Sequence, residues 1–174
     1  MSSLNPKTYD TTPAMSVAFI GLGVMGNPMA THLAKAGHHL WLHDAQTDLA
    51  LNLATAIGPQ AVALEDPRAV GAHSDIVFTM LPHGQVVQSV ALGLERPGFG
   101  LINGLKPGSL LVDTSSCEPW LTRQTAAALA ERGIGMIDAP VSGAQWGAQA
   151  AELVFMVGGA DADLARARPL LEVM

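Results

Sequence analysis

Cysteine is nearly absent from this chain: its 174 residues carry one, Cys117. No intramolecular disulfide can form, which excludes a small bridge-stapled scaffold, and a lone thiol fits a reducing compartment such as the cytoplasm. Basic residues are also few. Nine Lys and Arg stand against fifteen acids, for a formal net charge of −6. The nine are scattered rather than gathered in a stripe, so nucleic acid is not an expected partner. No apolar run reaches the length of a membrane span. Residues 1–14 are polar, hold Pro6 and Pro13, and lack the apolar stretch of a signal peptide. They read as a disordered lead-in to one domain over residues 15–174, with Met15 as an alternative start. Internal repeats and low-complexity tracts are missing as well.

Apolar residues and glycine are plentiful, at 49% and eighteen residues. Their placement is most informative between Val17 and Asp44. An apolar run, Val17 to Ile20, enters the turn Gly21-Leu22-Gly23-Val24-Met25-Gly26; a helical segment follows to about Ala36, and a second strand, His39 to His43, ends on Asp44. Strand, GxGxxG, helix, strand and acid in this spacing form the fingerprint of a dinucleotide-binding βαβ unit. Each glycine has a mechanical reason: Gly21 permits a tight turn, Gly23 lets the backbone approach a pyrophosphate, and Gly26 lets the helix pack on the strand. The helix N-terminus offers N–H groups and a partial positive charge to phosphates. Asp44 can accept hydrogen bonds from the adenosine ribose hydroxyls, and its charge would repel a 2′-phosphate. Ala45 follows, and no Arg stands near in sequence, so NAD is expected over NADP. The plainer readings of Asp44 are a solvated strand end or a cap on the next helix.

The alternation continues. Helices are predicted over Thr47–Ile57, Asp66–Gly71, Gly84–Leu92 and Glu118–Arg132, the last capped by Ser116 or Cys117, with a short one at Leu101–Leu105. Strands are predicted over Asp75–Met80, Ser109–Asp113 and Ile134–Asp138. A glycine-containing loop, Val141–Gly147, then leads to a strand over Glu152–Val157 and a final helix over Asp161–Glu172. This pattern predicts an α/β fold of the Rossmann type: a doubly wound, mostly parallel sheet with helices on both faces. Ligands of such sheets bind at the carboxyl ends of strands. That rule selects Gly21–Gly26, Asp44, Leu81-Pro82, Asp113–Ser116 and Asp138–Ala144, which can converge on one crevice.

Five segments carry a more specific signal: FIGLGVMGNPMA (19–30), TMLP (79–82), LVDTSS (111–116), DAPVSGA (138–144) and MVGG (156–159). Together they resemble the β-hydroxyacid dehydrogenases, the family of 3-hydroxyisobutyrate dehydrogenase, tartronate semialdehyde reductase and, more distantly, 6-phosphogluconate dehydrogenase. The resemblance implies that Gly21, Leu22, Gly23, Val24, Met25 and Gly26 line a pyrophosphate. It implies that Leu81, Pro82 and Val86 flank the nicotinamide ribose side, with Ser116 by the nicotinamide. It also implies that Ser142, with the backbone of Gly143 and Ala144, holds a substrate carboxylate. There are departures. Asp44-Ala45 stands where many relatives carry Asn-Arg, Ala144 where they usually have a second glycine, and Ala151-Glu152 where Gly-Thr is usual. Family members have a second, helical domain with a catalytic Lys and a nearby Asn. This chain stops at Met174, and its lysines, Lys7, Lys35 and Lys106, match no such motif. The chain therefore reads as the cofactor domain alone, a fragment without the general acid/base that hydride transfer needs.

Other chemistry is weaker in the sequence. His39, Trp41 and His43 share one strand face without the further ligands a metal requires, which suits an edge or surface strand. His83 follows the Leu81-Pro82 turn and reads as a solvated loop residue. Ser115 and Ser116 sit in no GxSxG elbow. Cys117 reads as a small packed side chain and Asp138 as a structural acid. Two functional classes remain open. One is a dehydrogenase exchanging hydride between NAD and a small 3-hydroxy acid or its semialdehyde, with homo-oligomerisation possible. The other is a non-catalytic dinucleotide-binding module. A flavin-binding unit is a third reading of the same glycine turn.

Overall fold

Alternation of buried residues along the first strand sets the whole architecture. In a computed structural model, which describes residues 13–174, β1 (Ser16–Ile20) sends Val17 and Phe19 into one apolar layer and Ala18 and Ile20 into the other. A strand buried on both faces needs helices on both sides, which is what parallel crossover connections supply. The chain continues as α1 (Gly26–Lys35), β2 (His39–His43), α2 (Thr47–Ile57), β3 (Ala61–Ala63), α3 (Pro67–Ala72), β4 (Ile76–Thr79) and α4 (Gly84–Leu92). A 3-10 turn at Leu101–Asn103 precedes β5 (Leu110–Asp113), α5 (Pro119–Ala130) and β6 (Gly135–Asp138). Then come β7 (Val141–Ser142), α6 (Ala144–Ala150), β8 (Val154–Phe155) and α7 (Asp161–Leu171).

Among the described residues, the main sheet has strand order β3-β2-β1-β4-β5-β6, and every pairing within it is parallel. This is the Rossmann order, with its switch point between β1 and β4. Helices α1, α2, α6 and α7 cover one face, where the rings of Phe19 and Phe78 stack with centroids 5.9 Å apart. Helices α3, α4 and α5 cover the other, through Val70, Ala91 and Leu129. Asp66 starts α3 as expected: its carboxylate accepts the Ala69 N–H at 2.8 Å, and Pro67 occupies the first turn.

Four expectations need correction. The strand β3 was not foreseen; at three residues it is too short to show a period. Its presence makes β2 internal, so His39, Trp41 and His43 do not lie on an edge strand. Trp41 instead stacks on His73, 4.3 Å between ring centroids, and its indole N–H donates to Ser16 Oγ. The Glu152–Val157 strand shrinks to Val154–Phe155, which pairs antiparallel with Val141–Ser142 in a separate two-stranded ribbon. The loop expected over Val141–Gly147 contains that ribbon strand and the start of α6. Finally, neither Ser116 nor Cys117 caps α5. Glu118 takes that place without a side-chain cap bond, and Pro119 presets the first turn. The disordered lead-in expected over residues 1–14 lies almost wholly outside the described residues.

Candidate dinucleotide cleft

The glycine turn after β1 is fixed by contacts that leave no room for side chains. Gly21 has φ +91°, and a Cβ there would run into the Met80 carbonyl; a Cβ on Gly26 would run into the Gly21 carbonyl. These two glycines therefore serve close packing of the turn against β4 and of α1 against β1. Gly23 is different: nothing lies within 4 Å of where its Cβ would be, so it faces open space. No side chain caps the start of α1 and no acid lies in its first turn. The N-terminal N–H groups and the positive end of the helix dipole thus meet that space without a built-in competitor.

Asp44 closes the turn from the side. Its Oδ2 accepts the Leu22 N–H at 2.7 Å and its Oδ1 accepts the Gln46 N–H at 2.8 Å. A carboxylate has about four lone-pair sites, so the group remains able to accept from a ligand. Neither a plain solvated strand end nor a cap on α2 describes it. The cleft bounded by these elements is about 460 Å³ and is largely apolar. Gly21, Gly23, Val24, Met25, Gly26, Asp44, Leu81, Pro82 and Val86 all line it, joined by Leu49, Met80 and Val90. Leu22 enters only through its backbone, since its side chain is buried beneath.

The far end of the crevice is organised by a buried acid. Asp113, at the end of β5, is wholly inaccessible to solvent. Its Oδ1 accepts from Thr79 Oγ1 at 2.9 Å and from the Ser115 N–H at 3.1 Å, and its Oδ2 accepts from the Cys117 thiol at 3.1 Å. Ser115 Oγ in turn accepts the Leu81 N–H at 2.9 Å. One carboxyl group therefore fixes both loops that flank Leu81-Pro82 and Ser116. Burial pushes the Asp113 pKa up, against the lowering effect of these hydrogen bonds. Asp138, its partner in strand register, is also raised, by burial first and then by the Asp113 charge. Burial, then the Asp113 charge, pushes the Cys117 thiol far up, so it stays protonated and unreactive.

Ser116 is exposed in the loop after β5, and Ser142, Gly143 and Ala144 are exposed beyond β6; none of the four lines the cleft itself. Ala144 and Ala151 hold φ +50° and +56°, the positive-φ non-glycine residues of the described chain. They bracket α6, which is tied to α1 by His32, whose Nε2 lies 3.1 Å from the carbonyls of both Ala148 and Gln149. His83 is exposed at the start of α4. Lys35 ends α1 and Lys106 precedes β5, so both lie away from the strand carboxyl ends; Lys7 is outside the described residues. Among the described residues no group of three or more His, Cys, Asp or Glu is placed to hold a metal ion, and no helix is long and apolar enough to cross a membrane.

Sequence reasoning missed a neighbour of the cleft. A second, more polar cleft of about 410 Å³ shares His43, Asp44, Ala45 and Val90 with the first and contains Arg96 and Phe99. The reading that no arginine stands near Asp44 holds along the chain but not in space. Arg96 lies more than fifty residues away, in a Gly- and Pro-rich loop without periodicity, so no local signal pointed to it.

Comparison with known proteins agrees with this geometry. Residues 16–174 match the family described as the NAD binding domain of 6-phosphogluconate dehydrogenase. The chain is 44% identical over 158 residues to the NAD-dependent L-serine dehydrogenase of Pseudomonas aeruginosa, covering 91% of this chain and 51% of that protein. It is 40% identical over 161 residues to the 2-(hydroxymethyl)glutarate dehydrogenase of Eubacterium barkeri, covering 92% and 51%. The solved Mycobacterium tuberculosis 3-hydroxyisobutyrate dehydrogenase with L-serine superposes with a TM-score of 0.83 at 37% identity, over 92% of this chain and 52% of that one. A structure of Psf3 with NADP+ and 2-OPP gives a TM-score of 0.82 at 32% identity, over 90% and 53%. The chain thus spans about half the length of these relatives. On the family match, the parallel-sheet order and the glycine cleft together, it belongs to the NAD-binding domains of the hydroxyacid dehydrogenase family.

Proposed function

We propose that the chain is the cofactor half of an NAD-preferring dehydrogenase acting on a small 3-hydroxy acid or its semialdehyde. The observation that carries the preference is Asp44, whose carboxylate borders the cleft and is held there by the Leu22 and Gln46 N–H groups. A fixed negative charge at that place accepts ribose hydroxyls and opposes a 2′-phosphate. The residues fit a dinucleotide on their own terms: the space beside Gly23 is open, the α1 start is uncapped, and the cleft wall is apolar. When bound, a nicotinamide dinucleotide supplies the hydride acceptor or donor. The Gly21–Gly26 turn, Leu22, Val24 and Met25 hold the pyrophosphate side, and Leu81, Pro82, Val86 and Ser116 orient the nicotinamide half.

Ser142 and the Gly143-Ala144 backbone bind the substrate carboxylate, a small anion site made of a hydroxyl and turn amides. That reading draws on the family resemblance, on one relative named for L-serine and on a solved 3-hydroxyisobutyrate dehydrogenase titled with L-serine, itself a 3-hydroxy acid. The setting is cytoplasmic, consistent with one unreactive thiol. Among the described residues no lysine stands at the strand ends, since Lys35 and Lys106 lie elsewhere. That placement favours one other reading, a dinucleotide-binding module without catalysis. Flavin binding is distinguished by the absorbance of the purified protein.

The test joins these residues to the second half of one of the relatives. The chimera is expected to oxidise small 3-hydroxy acids with NAD, while the chain alone stays at background with the same panel. A folded, NAD-binding chimera without turnover would favour the non-catalytic module. Turnover by the repurified chain alone, lost in Ser142→Ala, would place the acid/base within this chain and contradict the proposal.

A further inference from the structure

We infer that His32, on α1, is a positioning residue for the substrate: it holds the far end of α6 and so sets the place of the Ser142-Gly143-Ala144 turn at the near end. The inference rests on the reading of that turn as the carboxylate site.

Helix α1 buries Met29, Ala30, Leu33 and Ala34, and His32 is buried with them at 8% exposure. An imidazole in such surroundings is costly unless it is hydrogen-bonded. Its Nε2 lies 3.1 Å from the carbonyls of both Ala148 and Gln149. A carbonyl only accepts, so Nε2 carries the proton and donates to the pair. Both carbonyls belong to the last turn of α6, where a helix leaves its acceptors short of donors.

The hold reaches the turn because α6 spans seven residues and is joined closely to what flanks it. The Gly147 N–H donates to the Gly143 carbonyl at 2.8 Å, and the Glu152 N–H to the Gly147 carbonyl at 2.9 Å. Leu153 packs into the space left by two glycines: a Cβ on Gly143 or Gly147 would stand 3.2 or 3.4 Å from its Cδ2. Ser142 itself pairs with Val154 in the β7–β8 ribbon. These contacts make β7, α6 and β8 one body. Ala144 and Ala151, at its two bends, keep φ +50° and +56°, a conformation that persists only where the surroundings hold it. His32 supplies that hold from α1, the helix that begins at the glycine turn. The substrate turn and the cofactor turn are thereby referred to the same rigid element.

The experiment compares wild type, His32→Leu and His32→Gln, each as this chain and as the chimera described above. Leu fills volume without a donor, whereas the Gln amide nitrogen reaches the place of Nε2. Circular dichroism and titration with NAD check the fold and the cofactor cleft. In the chimera, His32→Leu is expected to raise the KM for L-serine roughly tenfold, the scale of one lost hydrogen bond, with kcat and NAD affinity within about twofold of wild type. His32→Gln should restore the KM. In the chain alone, amide exchange over residues 143–151 should quicken about tenfold in His32→Leu and stay unchanged over residues 17–30. If His32→Leu does not fold, His32→Met gives the same comparison with a more adaptable apolar side chain. An unchanged KM, or no rescue by Gln, would overturn the inference. Equal losses of NAD and L-serine binding, or exchange that quickens throughout the chain, would make His32 a general core residue and overturn it as well. A chimera without turnover, or one whose KM for L-serine is unmoved by Ser142→Ala, would refute the carboxylate reading and the inference with it.

Discussion

Ala144 and Ala151 sit in the left-handed region at the two ends of α6, where an L side chain crowds its own backbone. The strain is similar at both, but their surroundings differ. Ala144 is exposed, so Ala144→Gly sheds the strain and loses almost no burial; it is expected to stabilise by about 1 kcal/mol. Ala151 is buried, and removing its methyl costs about 0.8 kcal/mol of apolar burial. Ala151→Gly should therefore be near neutral. Chemical denaturation of the two variants separates these outcomes, and equal effects would contradict the reasoning. A second residue-scale prediction concerns His38. It is buried, its Nδ1 accepts the Met15 N–H, and burial lowers its pKa below 6.5. A lowered histidine stabilises the fold above its unfolded pKa, and that contribution is lost as pH falls below 6.5. Asp113 and Asp138 act with the opposite sign. Their raised pKa values favour the fold at acid pH, and stability falls as pH rises from 3.8 through those values. The His38→Gln variant isolates the histidine: its stability should vary less than wild type between pH 6.5 and 5. An unchanged profile would show that His38 titrates alike in both states.

At the scale of elements, Asp113 is what joins the ends of β4 and β5, through Thr79, Ser115 and, by way of Ser115, Leu81. Asp113→Ala leaves a buried hydroxyl and a buried N–H without partners and should destabilise by about 3 kcal/mol. Asp113→Asn keeps one carbonyl oxygen for both donors and should cost about 1 kcal/mol. Equal losses would mean that the charge, not the acceptor, matters. Elements such as these also show what was legible in the chain. The strand–GxGxxG–helix–strand–acid run announced itself because each glycine answers a steric demand of the turn, and the apolar strands β1, β4 and β5 because burial on both faces leaves unbroken apolar runs. The strand β3 was hidden because three residues carry no period. The helix α6 was hidden because its Ser142-Gly143 entry reads as a loop and it spans seven residues. The nearness of Arg96 and Phe99 to Asp44 was hidden because it joins segments distant in the chain, which no local pattern encodes.

At the scale of the whole molecule, several large apolar side chains stay exposed, three of them on or beside α6 and β8. Trp146 on α6 is 81% exposed, and Val154 and Met156 on and beside β8 are 62% and 55% exposed. Exposed apolar clusters drive association, so the isolated chain is expected to pair with a second copy through this face. Trp146→Glu with Val154→Glu should abolish concentration-dependent light scattering; persistence of the scattering would move the contact elsewhere. On the proposed function, a single carboxylate, Asp44, fixed beside the glycine turn, sets cofactor choice. Its most direct test is calorimetric titration of wild type and Asp44→Ala with NAD and NADP. Wild type should bind NAD more tightly, and Asp44→Ala should bring the two affinities together by removing both the hydroxyl acceptor and the repelling charge. Equal or tighter NADP binding by wild type would show that Asp44 does not set the preference.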